Sequence, residues 1–508
     1  MGLSPSACLV LAVLFGLTVG RAAAAPPAKL ALKGGRIIPV VGEDIAQGTL
    51  LIENGKITAV GKDVEIPYDA MVVDVSGKVL FPGIISPHTW RGLDRPNENL
   101  PVAPYLDVYD AIDPSRLDFE DALRDGVLGI HVIQGNSCVI GGLSRLVHPI
   151  GRTPDEMTIR PAVALKLSTS PKSGYDRTNQ MADMREAFLE LEYYLENLAE
   201  KRYEEELKKE EKEIDVPPEE ARKRGRKLIR DEHLDDKHRN LVKLKDGRLD
   251  AWIYCGSATD VGPAVQTAKH NGLLEHTVFV LGTESYRAVE ELKAAGRPVV
   301  LSPELMHQER DPITGELSET FVPKVIHDAE LLFALQPNPD ASLAERYLNY
   351  QAARCVRHGI PRRAALEAIT LNPARMLGVE DRLGSLEVGK AAYVVVFSGD
   401  PLDFNSWVEK AYIDGVLAYD RSKDVRLKEL LGLDQKVAEA KKKAAEDKDG
   451  KKDQEKKEEK EQEEKKEPAE DKAKENQQDK SKEKQEDENK DDDRPKDDPA
   501  QPAAGEDQ

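Results

Sequence analysis

The side chains suited to chemistry are few and scattered. Ten histidines and four cysteines are spread over 508 residues. His88 closes an apolar run that begins at Val79. Glu304 and His307 follow a strand-like stretch at 298–301, and Tyr254 and Cys255 end another at 251–255. Gathered at strand ends, these five supply two imidazoles and a carboxylate to hold a divalent cation or move protons. They add a thiol that a neighbouring base would activate. Trp90 and Tyr254 offer flat faces for stacking on a ligand. Other positions read as structural. His131 and His148 sit near strand ends as packed or surface histidines, and His276 starts a strand. Cys255 itself has the commoner role of a small apolar core residue. Gly141-Gly142 lacks the Gly-Lys-Ser/Thr that a phosphate loop requires.

Two kinds of element must position these residues. Short strands rich in Val, Ile and Thr are expected at 30–32, 36–41, 49–53, 56–60 and 71–75, with Asn54-Gly55 as a two-residue hairpin turn. From Ile84 to about Leu383 the pattern becomes strand then helix, which predicts a parallel α/β body with a barrel as the leading architecture. A charged helical stretch at about 180–244, broken at Val216-Pro217-Pro218, reads as an insertion between barrel strands. Its basic run from Arg222 to Arg230 is flanked by acids and reads as a solvated face. Strands return at 392–397 and 413–419, so both ends of the body are expected to meet in one small β domain.

Several ordered motifs carry a resemblance. Val79-Leu80-Phe81-Pro82-Gly83-Ile84-Ile85-Ser86-Pro87-His88 resembles the opening segment of the amidohydrolase superfamily, especially its imidazolonepropionase-like branch. Thr370-x-Asn372-Pro373-Ala374-Arg375, Arg382-Leu383-Gly384-Ser385-Leu386 and Gly399-Asp400-Pro401-Leu402 are similar to its closing segment. Gly34-Gly35-Arg36-Ile37 and Gly55-Lys56-Ile57 match its beginning, and Ile140-Gly141-Gly142, Leu165-Lys166 and Gly282-Thr283-Glu284 its middle. The resemblance spans about 30–420. It implies a (β/α)8 TIM-like barrel over 84–383 and a small β-sandwich built from 26–83 and 384–425.

The same comparison implies that most metal ligands are substituted. The family's hydrolysis of C–N bonds needs a divalent metal, zinc or manganese, to make hydroxide from water. His88 keeps one ligand position. The second histidine position is Trp90, and the aspartate position is Ser86. The next ligand strand has Tyr254 and Gly256 where histidine is expected, and Leu281 stands before Gly-Thr-Glu. A late-strand aspartate matches Asn338, which cannot serve as a carboxylate base. Thr169 stands where some relatives carry a carboxylate. The expected metal complement is therefore none. Any remaining chemistry would draw on His88, Glu304, His307 and Asn338, and any ligand contact on Trp90 and Tyr254.

The ends differ from the body. Residues 1–25 resemble a signal peptide, with an apolar run at 9–19 and Ala22-Ala23-Ala24-Ala25 for cleavage. This predicts a periplasmic or secreted protein with no integral membrane segment after cleavage. Cys138, Cys255 and Cys355 remain, an odd number that leaves a free thiol. Residues 436–508 hold 20 basic and 27 acidic residues with almost nothing apolar, which predicts a disordered tail. The chain's net charge of −20 argues against nucleic acid as a partner. Three functions follow as expectations: a non-catalytic scaffold or binder, with a paralogous amidohydrolase or a second copy as partner; an active amide or cyclic-amide hydrolase with a rearranged metal site; or a small-molecule binder using the barrel mouth.

Overall fold

Asn54 and Gly55 both have positive φ, 50° and 78°, the pair of left-handed residues that a two-residue hairpin needs. The turn sets Glu53 opposite Lys56 and joins the strands Ile45–Glu53 and Lys56–Gly61. The computed structural model describes residues 28–213, 216–338 and 346–432, so the expected signal peptide and tail lie outside the described residues. The chain divides into two compact units, Met1–Leu427 and Lys428–Gln508. Everything below concerns the first.

The fold is mixed α/β. The N-terminal strands belong to an eight-stranded sheet that the C-terminal part completes. Its order runs Val416–Asp420, Val408–Ile413, Val394–Phe397, Val79–Pro82, Lys29–Ile37, Ile45–Glu53 and Lys56–Gly61, with Met71–Asp74 also on Lys29–Ile37. The junction is Val79–Pro82. It pairs in parallel with Lys29–Ile37 and antiparallel with Val394–Phe397, Leu80 facing Val396. Leu30, Leu32, Ile37, Leu50, Leu80 and Val394 bury one face of this sheet. The two flanks thus share one sheet.

Past Gly83 the chain enters the strands that carry the candidate site. Ile84–Thr89 pairs in parallel with Val127–Val132, which continues to Arg145–Val147 and Thr158–Arg160. A second run is parallel through five strands: Ala164–Ser168, Asp250–Cys255, Thr277–Leu281, Val299–Leu301 and Phe333–Leu335. Every residue of Thr277–Leu281 is buried, the near-continuous apolar pattern of a parallel strand covered on both faces. The backbone at 368–369 touches both runs: Ile85 donates its N–H to Ile369 at 2.9 Å, and Leu335 to Ala368 at 3.0 Å.

Between Ala164–Ser168 and Asp250–Cys255 stand the helices Arg177–Lys209, Pro218–Arg226 and Asp236–Lys245. Asp176 caps the first by accepting from the Asn179 N–H at 2.8 Å. Met184, Phe188, Leu191 and Leu195 lie on its buried stripe. The first two helices touch so closely that a Cβ on Gly225 would lie 1.8 Å from the Ala199 carbonyl oxygen. Gly225→Ala must push backbone apart and is expected to lower stability by roughly 2 kcal/mol. Gly262→Ala, where a Cβ meets nothing within 4 Å on the helix Ala258–His270, should instead be neutral or stabilising. Guanidinium midpoints of the two variants check this. Equal midpoints would refute the close packing.

Candidate functional site

Position 166 is the one charged residue inside the buried strand Ala164–Ser168, and its side chain is fully buried. Its Nζ donates to His88 Nε2 at 2.8 Å and to Asn136 Oδ1 at 2.7 Å. It stands 5.5 Å from the centre of the Tyr254 ring. Among the described residues no carboxylate pairs with Lys166. Burial lowers its pKa from 10.5 to about 8, because the interior penalises the charged form. His88 lies on Ile84–Thr89 and is 1 % exposed. Burial first, then the charge of Lys166, holds its pKa well below 6.5, with the Gln336 side chain against the ring. His88 is therefore neutral. An ammonium has donors only, so Nε2 must present its lone pair to Lys166.

A second imidazole is buried beside this pair. His131 Nδ1 lies 2.6 Å from the Pro87 carbonyl and Nε2 2.7 Å from Ser144 Oγ, while its ring meets Trp252 edge-on at 4.4 Å. Burial drops its pKa to about 3. The expected packed role for His131 fits this geometry.

The remaining candidates divide by surroundings. Trp90 follows Thr89 and sets its ring edge-on to His88 at 6.4 Å. Trp90, His88, Lys166 and Tyr254 thus form one cluster. Cys255 is fully buried and its thiol is pushed up to about 12, beside Thr169 Oγ1 at 3.8 Å. A thiol held protonated is no nucleophile at neutral pH. Cys138 and Cys355 are likewise buried and free. His307 lies on the hairpin of Met306–Arg310 with Leu317–Phe321, bonded to Thr283 Oγ1 at 3.2 Å and tilted against Tyr286. Glu304 is exposed. Among the described residues no hydrogen bond joins either of them to His88. Ser86 and Asn338 line a separate cavity of about 50 Å³ with Asp118, Asp125 and Arg346. His148 is half-buried, and His276 is exposed 3.8 Å from Asp250.

Where the sequence comparison expects histidine at 256, a side chain would have to displace those of Ser170 and Tyr254. A Cβ on Gly256 would lie 2.7 Å from Ser170 Oγ and 3.0 Å from Tyr254 Oη. Among the described residues no group of three or more His, Cys, Asp or Glu side chains is placed to hold a metal ion. The one imidazole at an expected ligand position, His88, faces the Lys166 ammonium with its Nε2. In the sequence Lys166 stands out only as half of the Leu165-Lys166 match. The signal for more was there, since a lone charge in Ala164-Leu165-Lys166-Leu167 asks what neutralises it.

Comparison with known proteins bears on this arrangement. The amidohydrolase family profile matches residues 347–419. The amidohydrolase of Thermotoga maritima MSB8 superposes with a TM-score of 0.65 at 26 % identity, over 77 % of this chain and 100 % of that one. The chain belongs to the amidohydrolase superfamily. Within this superfamily it is 24 % identical over 410 residues to the amidohydrolase tasK of Hapsidospora irregularis. That match covers 73 % of the chain but spans only 40 % of the length of tasK. It is also 25 % identical over 186 residues to the imidazolonepropionase of Maricaulis maris, 36 % of this chain and 44 % of that protein. The likeness to the imidazolonepropionase branch read from the opening motif agrees with this. No helix among the described residues is long and apolar enough to cross a membrane.

Proposed function

We propose that this superfamily member has exchanged its metal centre for the Lys166–His88 pair and serves as a binding or assembly scaffold without hydrolytic chemistry. The observation that carries the reading is the Lys166 ammonium on His88 Nε2. That lone pair is the one retained ligand position, and a cation occupies the space a metal ion would need. Two positive charges at such separation repel strongly in a dry interior. The crowding of Gly256 by the Ser170 and Tyr254 side chains supports the same reading.

In this reading the two runs form a (β/α)8 barrel over 84–383, joined through the 368–369 backbone, and the helices after Ser168 are an insertion. The eight-stranded sheet belongs to a β-sandwich from 26–83 and 384–425. The apolar run at 9–19 supports export to the periplasm or beyond, and 436–508 supplies a disordered tail. Trp90 and Tyr254 would make the ligand contacts, and the partner is a paralogous amidohydrolase or a second copy.

The test is metal counting. The full chain is exposed to zinc and manganese, desalted and measured by mass spectrometry. Far less than one ion per chain is expected, with no turnover of cyclic amides. One retained ion together with turnover would overturn the proposal.

A further inference from the structure

Away from the Lys166 cluster, a cavity of about 490 Å³ opens between three elements. These are the end of the helix Leu117–Arg124, the helix Leu348–Arg357, and the loop from Phe397 to Val408. Its size suits a small metabolite. Its walls are aromatic: Tyr347, Tyr350, Phe397, Phe404 and Trp407. Phe404 is 85 % exposed and Trp407 46 %, although each ring would gain free energy by leaving water. Phe404 and Tyr350 meet edge-on at 6.3 Å.

The charges of this cavity are unequally satisfied. Arg124 is bonded to Asp424, Asp121 and Glu120. Asp403 Oδ1 accepts from the Asn405 backbone and side chain in its own turn. Asp125 is half-buried and lies 3.9 Å from the Arg346 guanidinium, and desolvation pushes its carboxyl up to about 7. Arg421 stands apart. Its guanidinium lies 5.2 Å from the Trp407 ring centre, and among the described residues it makes no ion pair. An indole face beside a guanidinium with free donors recognises a flat ring that carries an anionic group.

We propose that this cavity binds planar aromatic carboxylates, the ring stacking on Trp407 and Phe404 and the carboxylate accepting from Arg421. The site is independent of the Lys166 cluster, so it stands or falls apart from the scaffold reading. Neither Arg421 nor Trp407 belongs to that cluster.

The probes are indole-3-acetate and its neutral analogue indole-3-acetamide, titrated into the full chain by calorimetry and ligand-detected NMR. The acetate is expected to bind at least about tenfold tighter, since a hydrogen bond to a charged group is worth that much. Arg421→Gln should bring the acetate to the level of the acetamide and leave the acetamide unchanged. Phe404→Ala should weaken both with an unchanged thermal midpoint, because its ring is exposed and adds little to the core. Equal affinity for the two probes, no binding of the acetate at about 5 mM, or an Arg421→Gln variant that binds the acetate as before would each overturn the proposal.

Discussion

Between pH 8 and pH 10.5 the wild-type chain is expected to gain about 3 kcal/mol of stability relative to Lys166→Met. The sign follows from where the proton sits. In the unfolded chain Lys166 keeps its proton up to 10.5, and in the fold it loses it near 8. Across that window the unfolded state binds more protons, so raising the pH favours the fold. Below pH 8 both states are charged and the full cost of burying an ammonium without a carboxylate is present. Lys166→Met has no such group, and its stability should lack this rise. The absolute difference at pH 7 is set by a second effect. Methionine removes the charge but leaves His88 Nε2 without a donor, which costs about 1–3 kcal/mol. The pH-dependence therefore isolates the charge, and the midpoint at one pH does not. Guanidinium titrations at several pH values from 7 to 10.5 would show it. Two parallel curves would mean that Lys166 is solvated or paired, and the cluster described here would be wrong.

Acid should act through His131. Its pKa of about 3 in the fold, against 6.5 unfolded, means that the unfolded chain takes up a proton first as pH falls. Stability is fully present above 6.5 and is lost progressively down to 3, at up to about 1.4 kcal/mol per pH unit. His88, lowered in the same direction, adds to the loss. His131→Gln keeps one donor and one acceptor for Pro87 and Ser144 but cannot titrate. It is expected to be less stable at pH 7 and to show a shallower acid limb between pH 6.5 and 4. If both proteins lose stability with the same slope, the acid sensitivity resides elsewhere.

The sequence made some of this legible and hid the rest for physical reasons. Asn54-Gly55 announced its hairpin because two adjacent left-handed residues are costly for almost any other pair. The strands announced themselves by runs of buried Val, Ile and Leu. His88 was found because it ends such a run. Lys166 was underestimated because local pattern shows a charge but not what surrounds it. Its partners His88 and Asn136 arrive from strands and loops far along the chain, and its altered proton affinity exists only once they pack. Cys255 was placed correctly at a strand end, yet its burial beside Thr169 decides its chemistry. The aromatic cavity escaped sequence reading altogether, since Tyr350, Phe404 and Arg421 share no spacing.

The strand Val79–Pro82 has a consequence for how the chain is made. Its two neighbours are drawn from opposite ends, and Arg36 reaches Asp400 across 364 positions of sequence. A nascent chain that has emerged only to residue 390 holds Val79–Pro82 with one side unpaired, and every backbone group on that side is open to association with other chains. Closing so long a loop delays the final pairing. The eight-stranded sheet is thus a late checkpoint in biogenesis. Premature termination before Val394 should yield aggregates rather than a smaller folded protein.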